Sequence, residues 1–377
     1  FLPDPRVLKE ARSLSRIYDV TVWALDREGK YPNCEDMEGI HIERVSLSFL
    51  QPLRLAARRR FVTFFIDMTL FYLRSVQLLR RDFQVVHSHD LDTLPLGVFL
   101  GKLKRAKIVF DAHEDFAATI SLRKRIMNSF LKLERSLMRR VHAVIVVGEI
   151  MKEEYRKRTG KPIHVVSNWK DPQEFEDPTQ NLVSSRAKRA RDQGKLVVSY
   201  LAGIAPTRII LPLLEAVRED PDVFVIVAGG REHQALTIHV QEASARLSNV
   251  LYMGWLDRDQ LTAYFSFSDV IYYCLHPDPP NNRYSVSNTV FSALAAGKAV
   301  ITTEIGEVGR IVKRGNCGII MPEATKQEIL VAFAKLKDRN SLQMLQQNAL
   351  KTAQLYTWPK AEKTLLELYG DLLWEKR

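Results

Sequence analysis

Short apolar runs alternate with longer stretches of helical spacing along the whole chain. In the front half, 7–17 has helical spacing, 19–25 and 39–46 read as strands, and a long helical region covers about 52–81. Two further apolar runs, 84–90 and 107–114, flank residues 91–105, an apolar stretch with a basic end that suits a crossover helix. A basic helix over 122–140 follows, then strands at 143–147 and 164–167. Alternation of this kind predicts a mainly parallel sheet covered by helices.

From 169 to 194 the chain turns polar, with Pro172, Pro178 and a run of Ser, Lys and Arg, which reads as a linker. The pattern then restarts, with strands expected at 196–200, 223–227, 250–253, 270–274, 299–303 and 318–321, mostly separated by helices. The expected division is therefore a first α/β domain over 1–168, a linker over 169–195 and a second α/β domain over 196–357. A last helix over 359–377 completes the first domain. At 377 residues the chain exceeds one ordinary core, so two domains are the default.

The two runs at 84–90 and 107–114 both end on histidine: His87-Ser88-His89-Asp90 and Asp111-Ala112-His113-Glu114. An apolar strand needs no polar tip for stability, whereas open α/β sheets place ligands at the carboxyl ends of their strands. These residues are the strongest pointer to chemistry. As neighbours on a strand, His87 and His89 are expected to diverge, one toward an acceptor and the other into the layer. Asp90-Leu91-Asp92 is an Asp-x-Asp pair, read first as helix N-capping and not as a metal site.

Composition changes the picture in two respects. The three cysteines, Cys34, Cys274 and Cys317, are far apart and odd in number. They suggest neither a disulfide framework nor a zinc site, and point to a reducing, cytoplasmic setting. Of the net charge of +11, an excess of +10 falls within 1–168, where thirty Lys and Arg face twenty Asp and Glu. That half is expected to face an anionic surface or substrate, with a solvated basic face as the plain alternative. Arg54, Arg58, Arg59 and Arg60 beside Phe61, Phe64, Phe65 and Phe71 suit a segment lying on an anionic membrane, and the 122–140 helix adds a second basic stretch. Equally, both are core-packing helices with basic outer faces. The longest apolar stretch, 61–73, contains Asp67 and is too short to span a bilayer of roughly 20 residues. Nucleic acid is not expected, since no groove-reading motif accompanies the charge.

The ordered set of motifs resembles the GT-B glycosyltransferases, and most closely glycosyltransferase family 4. It comprises Asp4-Pro5-Arg6-Val7, the two histidine-tipped strands, Val166-Ser167-Asn168, Gly203 and Gly254. Ser287-Asn288-Thr289-Val290-Phe291, Ala295-Ala296-Gly297-Lys298, Glu304-Ile305-Gly306 and Tyr356-Thr357-Trp358 complete it. The resemblance implies two Rossmann-like, doubly wound parallel-sheet domains facing across a cleft, the first holding the acceptor and the second a nucleotide-diphospho-sugar. It implies no bound cofactor, the nucleotide-sugar serving as co-substrate, and transfer with retention through same-face attack assisted by the leaving diphosphate. The acceptor would be a glycan or a lipid-linked, membrane-borne molecule, met in the cytoplasm or at the cytoplasmic face of a membrane.

On the acceptor side the resemblance points to His87, His89 and Asp90, and it makes His113 the catalytic-region histidine. For the donor it points to Gly203 and Arg208 in a strand-to-helix turn, and to Ser287 and Asn288 at a helix N-terminus, where backbone amides suit a diphosphate. Family members usually carry two glutamates eight positions apart and a lysine after the asparagine. Tyr284, Ser292 and Thr289 stand at those positions here. A serine accepts a ribose hydrogen bond but lacks the bidentate charge of a carboxylate. A GT-B protein that binds without turnover is the rival reading, and a basic RNA-associated protein a third. The strand and glycine-rich turn that the family places before Asp4 are not in the sequence, so a truncated or mis-assigned start is expected.

Overall fold

The computed structural model describes residues 4–56, 60–115, 124–176, 182–230 and 233–374. The chain divides into two compact units, Phe1–Asn168 with Ala361–Arg377, and Trp169–Lys360.

The front unit contains two sheets. β1 (Val20–Asp26) pairs in parallel with β3 (Ile40–Ser46), and β2 (Cys34–Met37) adds to β3 as an antiparallel edge. β4 (Val85–His89), β5 (Lys107–Ala112), β6 (Ala143–Val146) and β7 (Ile163–Val165) form a parallel sheet in that order. Among the described residues β1 and β4 each keep one unpaired edge. A groove of about 600 Å³ lies between them, lined by Val22, Ala24, Met68, Phe71, Val86 and Leu96 among others.

Local chemistry explains most of these elements. Helix Pro5–Ser15 starts with Asp4 accepting from the backbone N–H of Arg6 and Val7, and with proline in its first turn. The crossover helix Asp90–Lys104 turns Leu91, Leu94, Val98 and Leu100 inward and closes on Arg105 in the left-handed conformation. The expected 52–81 helix is divided into Gln51–Ala56, Arg60–Ser75 and a 3-10 turn at Val76–Arg80. Met68 and Phe71 pack Arg60–Ser75 against Val45, Leu96 and Leu100.

The rear unit has one six-stranded parallel sheet, ordered β10-β9-β8-β11-β12-β13. Its strands are β8 (Leu196–Leu201), β9 (Val223–Ala228), β10 (Val250–Gly254), β11 (Val270–Tyr272), β12 (Ala299–Thr303) and β13 (Gly318–Met321). Helices cover both faces, which is why β8 and β9 read as unbroken apolar runs. Along β8, Val197 and Leu201 enter one core while Leu196, Val198 and Tyr200 enter the other. Each such side chain contributes about 1.5–3 kcal/mol on burial.

The stretch expected as a linker is folded onto this unit. Asp171 and Glu174 cap each other reciprocally around the 3-10 turn Pro172–Phe175. Helix Ser185–Asp192 buries Ala187 and Ala190, and Phe175 and Val183 join the core. Two alanines three apart form a stripe too narrow to show against five charged neighbours in that helix. The last helix, Trp358–Trp374, leaves the rear unit at Lys360 and continues in the front unit, burying Leu365, Leu368, Tyr369 and Leu372. Its Glu362 accepts from Ser13 Oγ at 2.6 Å and from Arg16 at 2.9 Å.

Candidate active site

At the carboxyl ends of β4 and β5 lies a cluster of charged groups that is almost closed to solvent. Asp111 on β5 is fully buried. One of its oxygens, Oδ1, accepts from the Arg6 guanidinium, whose Nε also donates to Glu10 Oε1 at 2.9 Å. The other, Oδ2, lies 3.2 Å from both His89 Nδ1 and His113 Nε2. His89 Nδ1 and His113 Nε2 are themselves 3.0 Å apart. The backbone N–H of His113 donates to Asp90 Oδ1 at 3.0 Å.

Electrostatics follow from this geometry. Burial opposes the charged form of His113, but the adjacent Asp111 outweighs it and raises the imidazole to about 9. Burial likewise opposes the Asp111 carboxylate, yet Arg6 and His113 hold it well below the usual range. Glu10 is pushed up, first by burial and then by the charge of Asp111. Burial, with the charge of His89, drives His87 well below its ordinary value, so its ring is neutral. Burial raises Asp90, and burial with the Asp90 charge pushes Asp92 up to about 6. Asp90, with a φ of 62°, is a non-glycine residue in the left-handed region, a conformation that costs energy and recurs at functional positions.

Two expectations about these residues are corrected. His87 and His89 do not diverge: their rings stack at 4.5 Å with 17° between planes. They are two residues apart, and alternation on a strand puts i and i+2 on the same face. Asp90 does not cap its helix with its side chain; His89 holds the cap position, and the Asp90 carboxylate ties down the segment after β5. His87 Nδ1 meets Tyr369 Oη at 3.0 Å, so the last helix touches the cluster.

In the rear unit the strand ends converge differently. Thr289 donates its hydroxyl to Leu201 O at 2.9 Å, so it secures helix Asn288–Ala295 to the end of β8. Ser287 caps that helix toward Val290 N, and Asn288 is exposed at its first position. Ser292 is 7% exposed and Tyr284 half-buried, just after the 3-10 turn Pro280–Arg283. Arg208 Nη1 donates to Gly203 O at 3.0 Å, which folds the turn after β8 back on itself.

Sequence reasoning gave no role to Arg6, Glu10, Asp111 or Tyr369, nor to Gly229. Charges at Arg6 and Glu10, four apart on the inner face of an amphipathic helix, are the signal that could have found the first two. Gly229 has a φ of 146°, and a Cβ there would lie 1.9 Å from Ala202 O. The chain after β9 thus approaches the turn after β8 as only glycine permits. Gly306, after β12, has a φ of 63° and faces the carbonyls of Asn282 and Arg283 at Cβ distances of 2.6 and 2.7 Å.

Comparisons with known proteins match the two parts of the chain separately. Residues 6–174 match Glycosyltransferase Family 4, and 205–338 match Glycosyl transferases group 1. The chain belongs to the GT-B glycosyltransferases. It is similar to sucrose-phosphate synthase from Thermosynechococcus elongatus, with a TM-score of 0.77 and 17% identity over 98% of this chain and 93% of that one. Anabaena HepE, solved with UDP, superposes with a TM-score of 0.73 at 15% identity, covering 98% and 97% of the two chains. Among curated proteins, YtcC of Bacillus subtilis, named as a glycosyltransferase, is 24% identical over 200 residues, 49% of this chain and 47% of its own length. The D-inositol 3-phosphate glycosyltransferase of Rhodococcus jostii is 24% identical over 198 residues, 49% of this chain and 42% of its own length. The matched segment thus spans less than half of either curated relative.

Proposed function

We propose that this GT-B glycosyltransferase moves a sugar from a nucleotide-diphospho-sugar, bound at the strand ends of the rear unit, to an acceptor bound by the front unit, with retention of configuration. The observation that carries this reading is His113, whose ring is charged beside Asp111 and whose Nδ1 has no hydrogen-bond partner among the described residues. HepE has been solved with UDP-glucose, and a trehalose-6-phosphate-related protein of E. coli with UDP-2-fluoro glucose, which supports a UDP-sugar as the donor.

In such a transfer the bond between the anomeric carbon and the diphosphate oxygen breaks, and the acceptor oxygen bonds to the same face. The acceptor proton passes to the departing diphosphate. No protein nucleophile and no resident cofactor enter. His113 Nδ1–H donates a charge-assisted hydrogen bond to the sugar or to the anion forming beside it, worth about 1.5–3 kcal/mol. At the other end, Ser287 and the free amides of helix Asn288–Ala295 suit the diphosphate. Calorimetry with UDP- and GDP-sugars tests the reading. Micromolar-range binding of one of them, weakened about tenfold by Arg208→Ala, is expected. Binding without turnover would favour the rival reading of a non-catalytic protein that binds a partner or sugar-nucleotide, and no binding to any nucleotide overturns the enzyme reading. Ser292→Glu restores a carboxylate at the ribose position and should tighten binding if the ribose still rests there.

A membrane-borne acceptor is favoured by one observation. Helix Arg60–Ser75 leaves Val62, Phe65 and Leu73 about half exposed, and Val76 continues that face beside the exposed Arg74 and Arg80. The segment Val62–Arg80 is long and apolar enough to cross a bilayer by length and composition, longer than the 61–73 stretch suggested. Its opposite face, however, carries the buried Asp67, Met68, Phe71 and Ser75. A helix committed to a core on one side suits lying on an anionic membrane, with its apolar face in the acyl boundary. Arg54, expected on that surface, instead donates to Asp67 at 2.6 and 3.2 Å. Arg58 and Arg59 lie outside the described residues, as does the side chain of Arg60. The second basic stretch is described as helix Lys124–Met138, with Lys132 and Arg135 exposed. Action at the cytoplasmic face of a membrane is part of this reading.

A further inference from the structure

A carboxylate on a central strand, closed to water, is costly unless its charge and its lone pairs are all matched. Asp111 meets that condition with an exact division of labour between its two oxygens: Oδ1 takes the Arg6 guanidinium, and Oδ2 takes the histidine side. Arg6 is held in turn by Glu10, and the Arg6 side chain is 6% exposed. His113 is therefore fixed at two points, its backbone N–H by Asp90 and its ring Nε2 by Asp111. The one ring atom left for a ligand is Nδ1.

We propose that Asp111 is the positioning residue for His113: its Oδ2 accepts the Nε2 proton, fixes the ring, and turns a protonated Nδ1 toward the substrate. Arg6 is the counter-charge that keeps Asp111 ionised. The proposal rests on the reading that His113 meets the substrate, but the state of the ring can be measured without any substrate. Groups that face His113 are Asp111 on β5, His89 on β4, Asp90 at the start of helix Asp90–Lys104 and Arg6 on helix Pro5–Ser15. Of these, only Asp111 accepts from the ring as an anion, which singles it out from Asp90.

The test is a histidine-selective NMR titration of the whole chain, with the His113 signals assigned by their loss in His113→Gln. In the parent protein the His113 midpoint is expected near 9. Asp111→Asn should bring it below about 7, since loss of the adjacent anion leaves burial opposed only by the more weakly acting Asp90. Glu10→Gln removes a charge from the same cluster without touching His113, and should leave that midpoint within roughly half a pH unit. With UDP-glucose as the probe, release of UDP by Asp111→Asn should fall about 10–100-fold in kcat with KM changed less than about threefold. A folded Asp111→Asn protein whose His113 midpoint stays where it was overturns the proposal. If Asp111→Asn does not fold, Asp111→Glu decides it: the anion is kept but displaced, so the midpoint should stay above about 7.5 while kcat falls, and an unchanged kcat overturns positioning. A midpoint that follows Asp111 while UDP release is indifferent to His113→Gln upholds the positioning of the ring and overturns its proposed function.

Discussion

Arg6 and Asp111, 105 residues apart in sequence, form a buried ion pair with side chains 6% and 0% exposed. The pair joins the first described helix to β5, and Glu10 closes it into a triad. Removing one partner of such an arrangement leaves an uncompensated charge in a place water does not reach.

Arg6→Ala should therefore destabilise the front unit by about 3–5 kcal/mol in urea unfolding. Adding Asp111→Asn should cost markedly less than it does alone, because the two side chains answer each other. Additive losses would show that the pair is not coupled.

Stability should depend on pH on both sides of neutrality. His113 is raised to about 9, so its contribution is complete below its unfolded value of about 6.5 and is lost as pH rises through 9. Glu10, also raised, acts in the same sense by disfavouring the folded state once it must ionise. Asp111 is lowered, so its contribution is present above about 3.9 and is lost as pH falls through its lower folded value. Thermal scans across pH 4–10 should show the alkaline loss shrink in His113→Gln, and an unaltered profile would contradict the charge assignment.

Gly229→Ala places a methyl 1.9 Å from a backbone oxygen at a φ that L-residues rarely adopt. A loss of at least about 2 kcal/mol in the rear unit is expected, with nucleotide binding weakened because the turn after β8 must move. Calorimetry and chemical unfolding on one preparation would reveal both.

For the membrane surface, pelleting with phosphatidylserine-containing vesicles should occur at low salt and fade toward 1 M, where the screening length falls to about 3 Å. Phe65→Glu with Leu73→Glu should abolish it without unfolding, since both side chains are exposed. Protein that stays in the supernatant with the parent sequence at low salt removes this reading.

Long apolar runs made most strands of the four-stranded and six-stranded sheets legible, because a strand covered on both faces has nothing polar to interrupt it. β2 was not foreseen: Cys34–Met37 is an edge strand with two acidic residues, and its pairing with β3 depends on a neighbour rather than on its own pattern. Helix Ser185–Asp192 was hidden for a similar reason, its core contact being two alanines. At the site, His89 and His113 were singled out from their strand ends, but their meeting 3.0 Å apart on one carboxylate was not foreseen. Asp111 lay inside a quoted motif without a role, since only burial shows that its charge needs Arg6.

Among the described residues, the edges of β1 and β4 that lack a strand partner also bear on cooperativity. A sheet usually frays from its rim, where the outermost strand has one partner. In the front unit the seam runs through the middle, between a three-stranded and a four-stranded layer bridged by side chains along the groove. Hydrogen exchange there should resolve two opening units instead of one, with β4 and β1 exchanging ahead of β5 and β3. The charged cluster spans both: its histidines and Asp111 belong to the larger, while Arg6 and Glu10 come from the helix packed against the smaller, so loss of the smaller would strip Asp111 of its counter-charge.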